Sequence, residues 1–312
     1  MSFPAWHHDA WAMLRARRDN GSMPHALLLA GPAGLGKRVF AERLVRALLC
    51  DAPVDGDACG RCRACLLLDA GTHPDRVTVG FEINANTKKL RTTIVVEQMR
   101  QLSARLAMAS QMGGWQVATI DPADAMTTSA ANALLKTLEE PTPSSLMMLV
   151  ADAPWRLPQT IRSRCQRVDF RLPTREVALD WLHEAGVDGA EDALDAADGN
   201  PGLARQWFEQ GLLEERRQVA HDLAALARGQ ADAYTVGKRW LDENLAQRLW
   251  FAAGLAAAEM RLRASGQAGA LVSQLSDDAL AQWFERANRA REDLRTTLRS
   301  ELVVLDLLSR WR

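Results

Sequence analysis

The chain has 312 residues, of which 47% are hydrophobic and 25% are charged. This composition is typical of a folded globular protein and excludes a largely disordered one, and the length predicts about two or three domains. The formal net charge of −1 excludes a protein that is strongly basic as a whole, although a local basic face could still contact nucleic acid.

Membrane and export segments are not predicted. The longest apolar run, at 249–258, covers ten residues, whereas about twenty are needed to cross a bilayer. The N-terminal segment lacks the apolar core of a signal peptide. We therefore expect a cytoplasmic protein without a membrane partner.

Strands and helices alternate in the first half of the chain. A short apolar run at 26–30 predicts a buried parallel strand. Phe40, Leu44 and Leu48 then recur every four residues, which predicts an amphipathic helix. Further strands are predicted at 77–79, 115–120 and 146–150, and further helices at 94–108 and 129–140. This alternation predicts an α/β domain with a parallel sheet over residues 1–170.

The second half of the chain has a different pattern. After residue 173 the sequence is rich in Ala, Leu and Arg at helical spacing, and it contains no strand-like run. A Gly-Asn-Pro-Gly turn at 199–202 interrupts it. We expect a small helical domain at 171–208 and a helical bundle at 209–312.

A glycine-rich segment separates the first predicted strand from its helix. The sequence Gly-Pro-Ala-Gly-Leu-Gly-Lys-Arg, at 31–38, nearly fits the phosphate-binding pattern G-x-x-x-x-G-K-[ST]. Backbone N–H groups of such a loop surround phosphate oxygens, and the lysine neutralises their charge. Arg38 occupies the position of the hydroxyl that ligates Mg²⁺, and an arginine cannot ligate a cation. The candidate nucleotide-binding residues are Gly31, Gly34, Gly36 and Lys37. The alternative is a turn without a ligand.

Asp121 directly follows the strand predicted at 115–120, where P-loop proteins place a carboxylate that contacts Mg²⁺. Hydrolytic members follow this Asp with a Glu that activates water, whereas Pro122 supplies no base. A turn residue at the end of a strand explains Asp121 equally well. Together these residues predict a degenerate nucleotide site without ATP hydrolysis, and leave nucleotide binding open.

Four of the five cysteines fall within sixteen residues, at Cys50, Cys59, Cys62 and Cys65. Four thiolates can form a tetrahedral cage for Zn²⁺, and the two-residue gaps let neighbouring sulfurs converge. Reduced free thiols or an iron–sulfur cluster are the alternatives. Because all four ligands are cysteines, the predicted zinc site is structural rather than catalytic.

Arg162 and Arg164 follow the last predicted strand in a Thr-Ile-Arg-Ser-Arg-Cys sequence. Taken alone, each is an ordinary solvated arginine. Their sequence context favours a functional role instead. Three motifs of the chain provide that context: Ala-Gly-Thr-His-Pro-Asp at 70–75, a run at 130–141 that ends in Leu-Leu-Lys-Thr-Leu-Glu-Glu-Pro, and the Ile-Arg-Ser-Arg-Cys sequence at 161–165 that contains both arginines.

With the glycine-rich segment and the cysteines, these motifs resemble the clamp-loader family of bacterial DNA polymerase III, an AAA+ family, over residues 4–205. The resemblance implies three domains: a RecA-like α/β AAA+ P-loop domain (1–170) with an inserted zinc module (50–65), a helical lid (171–208), and an all-α collar for oligomerisation (209–312).

Departures from the family pattern distinguish its subunit classes. Motor subunits keep the P-loop hydroxyl and the Glu after the Walker B Asp, where this chain has Arg38 and Pro122. They carry a sensor-2 arginine where Gly202 stands, and a sensor-1 Thr or Asn near the position of Asp152. The resemblance therefore implies the non-hydrolysing, delta-prime class.

That class is not an enzyme on its own but a component of the DNA polymerase III holoenzyme. The resemblance implies that Arg164 serves as an arginine finger in trans, pointing at ATP in a neighbouring subunit. It also implies partners: motor subunits of the tau/gamma type, a delta-type subunit, and the sliding clamp and primed DNA through the complex. The alternatives are an active motor ATPase and a zinc-containing nucleic-acid-binding protein.

Overall fold

The structure is a computed structural model that describes residues 3–84, 87–266, 271, 273–294 and 299–311. The chain divides into two compact units, Met1–Gln206 and Trp207–Arg312. The predicted boundary between an α/β domain and a helical lid near residue 170 falls inside the first unit, and the three-domain division stays a prediction.

A parallel five-stranded sheet forms the centre of the first unit, as the sequence predicts. Its strands are β1 (Ala26–Ala30), β2 (Arg76–Val79), β3 (Gln116–Ile120), β4 (Ser145–Ala151) and β5 (Gln166–Asp169). They are ordered β2-β3-β4-β1-β5. Strands β1 and β4 are buried at every position, because helices cover both faces of the sheet.

The helices of the first unit are α1 (His8–Asp19), α2 (Lys37–Leu49), α3 (Arg63–Asp69), α4 (Val96–Leu106), α5 (Thr128–Glu139), α6 (Gln159–Arg162), α7 (Arg175–Glu184) and α8 (Ala190–Ala196). The last one, α9 (Pro201–Glu209), continues into the second unit. One apolar cluster packs α4 and α5 against one face of the sheet, and a second packs α1 and α2 against the other.

Four of these elements of the first unit were not predicted. Strand β5 lies at an edge of the sheet, and Val168 is its one buried residue, so its sequence has no apolar run. Helix α1 lies in a segment that the sequence marks only as lacking a signal peptide. Helices α3 and α6 have seven and four residues, too few for a visible period. Cys62 is the N-cap of α3, and its Sγ accepts a hydrogen bond from the backbone of Cys65.

The described part of the second unit is helical, in agreement with the sequence. After α9 it contains α10 (Leu212–Ala227), α11 (Ala233–Trp240), α12 (Leu245–Ala264), α13 (Asp277–Asp293) and α14 (Ser300–Ser309). Trp240, Trp283 and Trp311 are fully buried here, and each indole N–H donates to a protein oxygen at 2.8–2.9 Å. Across the described residues, every helix is too short or too polar to span a bilayer.

Candidate functional site

The glycine-rich segment connects β1 to α2, where the sequence predicts it. We call residues 31–38, which comprise this connection and the first two residues of α2, the glycine loop. Gly31, Gly34 and Gly36 all have positive φ angles, of 148°, 84° and 77°. A side chain at Gly31 would collide with the Phe170 carbonyl oxygen, 2.1 Å from the position of its Cβ. The loop therefore requires glycine both for its backbone conformation and for close packing.

Lys37, the predicted phosphate ligand, points back into the protein. Its side chain is 1% exposed, and Nζ lies 2.6 Å from a carboxylate oxygen of Asp152. Nζ also donates to the carbonyl oxygens of Gly31 and Pro32, each at 2.6 Å. An ammonium group has three donors, so these contacts use all of them. Burial lowers the pKa of Lys37, although the bond to Asp152 opposes that shift.

Arg38 lies across two carboxylates. Its Nε is 2.8 Å from Asp121 Oδ2 and its Nη2 is 3.0 Å from Asp152 Oδ2. The two acids directly follow β3 and β4, which are neighbours in the sheet, so both lie at the same edge. The chain's own guanidinium thus supplies a positive charge to both strand-end carboxylates.

The pKa values of the two acids shift in opposite directions, although burial acts to raise both. Burial raises the pKa of Asp121, and pairing with Arg38 does not fully offset that effect. Burial also acts to raise the pKa of Asp152, but its hydrogen bonds to Lys37 and Arg38 outweigh it, so this pKa is lowered. Two cations and two anions therefore form one cluster, which we call the ion-pair cluster: Lys37, Arg38, Asp121 and Asp152.

The N-terminus of α9 rests directly on the glycine loop. Asn200 Nδ2 donates to the Ala33 carbonyl at 2.8 Å. A Cβ at Gly202 would lie 1.6 Å from the Gly34 carbonyl oxygen, so no side chain fits at position 202 in this arrangement. The contact is backbone against backbone, and it fills the space above the loop.

His7 covers the other end of the glycine loop. Its Nε2 lies 2.6 Å from the Leu35 carbonyl oxygen and donates to it, and Trp6 Nε1 donates to the same oxygen at 3.2 Å. The His7 ring is fully buried and packs edge-on against Phe40 and Phe170. Burial lowers the pKa of His7, which favours the neutral ring.

The four predicted metal ligands converge. Their Sγ atoms all lie within 4.8 Å of one another, and the Sγ atoms of Cys50 and Cys62 are 3.8 Å apart. A tetrahedral zinc with bonds of about 2.3 Å places its sulfurs about 3.8 Å apart, so the cage has the right size. These cysteines, within residues 50–65, form what we call the cysteine module, and they could hold a metal ion.

Backbone N–H groups approach the sulfurs of the cysteine module. Cys59 N donates to Cys50 Sγ at 3.3 Å, and Cys62 N donates to Cys59 Sγ at 3.4 Å. Hydrogen bonds from the backbone of Arg61 and Cys62 lower the pKa of Cys59 to about 6. Burial raises the pKa of Cys65 to about 12. N–H donors of this kind stabilise thiolates, which are the form that binds metal.

Arg164 lies in the turn between α6 and β5, and its contacts are not with residues of the glycine loop. Its Nη2 is 2.6 Å from Glu139 Oε1, and its Nη1 donates to the Thr160 carbonyl at 2.9 Å. About a third of its side chain, 35%, is exposed. Arg162, two residues earlier, differs because its Nε is buried without a hydrogen-bond partner.

Sequence reasoning missed several of these contacts. It considered Asp152 only as a departure from the sensor-1 pattern, and it assigned no role to His7 or Asn200. The pairing of Arg38 had a signal: two acids that each follow a strand, in a sheet whose neighbouring strands end at one edge. The contacts of His7 and Asn200 with the glycine loop have no local signature, since they join residues that are 28 and 167 positions apart.

Known proteins resemble this chain over most of its length. A sequence model of the family described as "DNA polymerase III, delta subunit" matches residues 6–174. The chain is 38% identical over 239 residues to DNA polymerase III subunit delta' of Pseudomonas aeruginosa, which covers 75% of this chain and 70% of that protein. It is 32% identical over 326 residues to the Escherichia coli K12 protein of the same name, covering 99% and 95%.

A DNA polymerase III tau subunit is also similar to the chain. The Bacillus subtilis tau subunit is 31% identical over 224 residues, which cover 69% of this chain and 38% of that protein. The similarity to tau thus takes in a smaller part of both proteins than the similarity to the Escherichia coli delta' subunit does.

Proposed function

The chain belongs to the DNA polymerase III subunit delta' family, and we propose that it acts as the non-hydrolysing, stationary subunit of the clamp loader. In this role it helps a hetero-oligomeric complex to load the sliding clamp onto primed DNA. The observation that carries the proposal is the ion-pair cluster, in which the protein's own arginine replaces a metal ion at the two strand-end carboxylates.

The glycine loop supports a subunit without ATPase activity of its own. Nucleotide binding requires a lysine that is free to contact phosphate and carboxylates that are free to contact Mg²⁺ through water. Here Lys37 has three internal partners, and Asp121 and Asp152 are paired with Arg38. Moreover, Pro122 supplies no base to activate water. We therefore expect the isolated chain neither to hydrolyse ATP nor to bind it tightly.

Arg164 is the residue by which this subunit would contribute to catalysis in the complex. A guanidinium is always charged, and its fork geometry matches phosphate oxygens. When it is delivered across a subunit interface, it stabilises the negative charge that develops on the γ-phosphate. The exposure of Arg164 and its position in a turn are compatible with contact to a neighbouring subunit. We propose that it acts as an arginine finger in trans.

The cysteine module is proposed to hold a structural Zn²⁺. Cys50, Cys59, Cys62 and Cys65 would occupy all four positions of a tetrahedral site, which leaves none for a reacting water. When bound, the metal would supply a rigid cross-link rather than chemistry. It would tie the end of α2 to the start of α3.

The partners that we propose follow from membership in the family. They are the motor subunits of the tau/gamma type and a delta-type subunit, and, through the complex, the sliding clamp and primed DNA. We propose that residues 1–170 form a RecA-like AAA+ domain, that 171–208 form a lid, and that the helical residues of 209–312 form a collar for oligomerisation. The expected location is the cytoplasm.

Reconstitution tests the proposed role of Arg164. Clamp-loader complexes would be assembled from full-length subunits with either the wild-type chain or the Arg164→Ala variant. GTPase arginine fingers contribute about 10³–10⁵ in rate, but this subunit would serve one of several ATP sites, so we expect about a fivefold loss of DNA-stimulated ATPase rate. Clamp loading should fall in parallel.

Arg167→Ala is the matched control, since Arg167 is also a half-exposed arginine and pairs with Asp169 on the same edge strand. It should leave both rates unchanged. Arg164→Ala complexes that hydrolyse ATP and load clamps at the wild-type rate would contradict the finger role. Zinc content and assembly should be equal in all three proteins.

The alternative of an active motor ATPase is favoured by one observation, the similarity to the tau subunit. A coupled ATPase assay on the isolated chain distinguishes the two. The stationary role predicts no turnover above that of a Lys37→Ala variant. A magnesium-dependent rate that is lost in Lys37→Ala would establish the motor role instead.

A further inference from the structure

Glu139 is the acidic partner of the proposed arginine finger. Its Oε1 lies 2.6 Å from Arg164 Nη2, while the Thr160 carbonyl oxygen accepts from Arg164 Nη1 at 2.9 Å. A guanidinium has five N–H donors in a rigid fork. Because the two contacts engage the two terminal nitrogens, they define the plane and direction of the fork and leave donors for a further ligand.

The fold fixes the relative position of these two side chains. Glu139 is the last residue of α5, which ends there because Pro141 cannot continue a helix. Leu138, the residue before Glu139, and Ile161, three residues before Arg164, belong to the same apolar cluster. Cys165, the residue after Arg164, is buried in it as well. The backbone segments that carry Glu139 and Arg164 are therefore both anchored in one apolar core.

The ion pair between Glu139 and Arg164 contributes little to the stability of the fold. The Glu139 side chain is 50% exposed and that of Arg164 is 35% exposed. Surface ion pairs of this kind contribute little to stability, since water screens them and two long side chains lose rotamer freedom. The larger effect of the pair is on the orientation of the Arg164 guanidinium. A guanidinium that is already restrained loses less conformational entropy when it contacts a ligand.

Resting on the proposed function of Arg164, we propose that Glu139 is a positioning residue for the arginine finger. It acts through Arg164 and does not touch the nucleotide. Without Glu139 the guanidinium samples other rotamers, so it meets the γ-phosphate of the neighbouring subunit in the right orientation less often. The loss should appear in kcat, because the finger acts on the transition state, whereas the KM for ATP should not change.

The test uses complexes assembled from full-length subunits that carry Glu139→Ala, Glu139→Gln, Arg164→Ala or the double change Glu139→Ala/Arg164→Ala. Glu140→Ala is the matched control, because Glu140 is the next residue and is exposed. We expect Glu139→Ala to lower kcat about twofold to threefold, between the wild type and Arg164→Ala. Glu139→Gln keeps an acceptor oxygen and should retain part of the rate. Glu140→Ala should match the wild type.

The double variant decides whether Glu139 acts through Arg164. If it does, Glu139→Ala/Arg164→Ala will be no slower than Arg164→Ala alone. A double variant slower than Arg164→Ala would overturn the positioning role, as would a change in KM alone. A Glu139→Ala rate equal to or above the wild type, with Arg164→Ala slow, would overturn it while leaving the finger intact. A wild-type rate in Arg164→Ala would instead reject the finger itself.

Discussion

The cysteine module and the glycine loop are both marked by a clear sequence motif, yet their donor groups are used in opposite ways. In the cysteine module four sulfurs lie within 4.8 Å of one another and face a common centre. In the glycine loop the lysine, the arginine and both strand-end carboxylates pair with one another. The first arrangement could hold a metal ion, whereas in the second the charged groups are paired with side chains of the same chain.

Chemical complementarity explains the difference. Four clustered thiols have no opposite charge among themselves, and once they are ionised their thiolates repel one another unless a cation lies between them. Lys37 and Arg38 carry two positive charges, and Asp121 and Asp152 carry two negative ones, so the ion-pair cluster is neutral. A motif therefore indicates a type of site, and the residues around it decide whether its charges are already paired within the chain.

The largest expected effect comes from removing the metal that we propose for the cysteine module. Apparent binding free energies of structural zinc are about 10–16 kcal/mol, and much of that energy is folding energy. Chelation or Cys62→Ser should therefore unfold residues 50–65 and α3, which hydrogen exchange would detect. Cys165→Ala, outside the module, should keep one zinc per chain. Protein purified without chelator that contains no zinc by elemental analysis would contradict the prediction.

The glycine loop, in contrast to the cysteine module, should gain no stability from the ligand that its motif predicts, which is MgATP. A ligand at 100 times its Kd stabilises a protein by about 2.7 kcal/mol. We expect millimolar MgATP to leave the unfolding temperature unchanged, while zinc raises that of the metal-free protein. A clear rise of the unfolding temperature with MgATP would contradict the prediction that the glycine loop binds no nucleotide tightly.

Gly202→Ala should give the next largest effect. The new methyl group would lie 1.6 Å from the Gly34 carbonyl oxygen, a backbone atom that cannot move alone, so α9 must shift. Overpacking of this kind costs about 1–3 kcal/mol. Gly254→Ala is the matched control, because Gly254 also lies in a helix but has open space around it. It should raise the free energy of unfolding by up to about 1 kcal/mol. Equal effects in urea unfolding would show that the loop is not covered.

Asp152→Asn should destabilise the ion-pair cluster to a lesser extent. The buried Lys37 ammonium would lose its carboxylate but keep the carbonyl oxygens of Gly31 and Pro32. Hydrogen bonds to charged groups contribute about 1.5–3 kcal/mol, and the lower end applies because Asp152 is partly exposed. Asp195→Asn weakens an exposed pair with Arg175, so it should destabilise the protein clearly less than Asp152→Asn does. Equal losses in the two variants would contradict the burial argument.

The smallest effect is a pH dependence from His7. Burial lowers its pKa in the folded state, so the unfolded chain binds a proton more readily. Its contribution to stability is therefore fully present above the unfolded pKa of about 6.5 and falls as the pH drops toward the folded value. His7→Gln keeps an amide donor but does not titrate, so its urea unfolding should lose less stability between pH 7.5 and 5.5. Identical pH slopes for the two proteins would contradict this.

The sequence predicts those parts of the molecule that local patterns encode. Strand β1 matches its prediction residue for residue, and the four cysteines converge as their spacing indicates. Strand β5 escaped prediction because a short edge strand buries too little to require an apolar run. The pairing of Arg38, the Gly202 contact and the Glu139 contact join distant segments, so only the tertiary structure defines them. The roles of Arg164 and of the metal remain predictions.

The close approach of Gly202 to the Gly34 carbonyl limits how this sequence can change over evolutionary time. An arginine at position 202 would collide with the glycine loop before it could contact a phosphate. A hydroxyl side chain at position 38 would by itself leave Asp121 without its cation. Each of these single substitutions should therefore lower stability without creating a nucleotide site. Conversion of this chain into an ATP-binding protein would need several substitutions together, because the contacts of Gly202, Arg38 and the two strand-end carboxylates depend on one another.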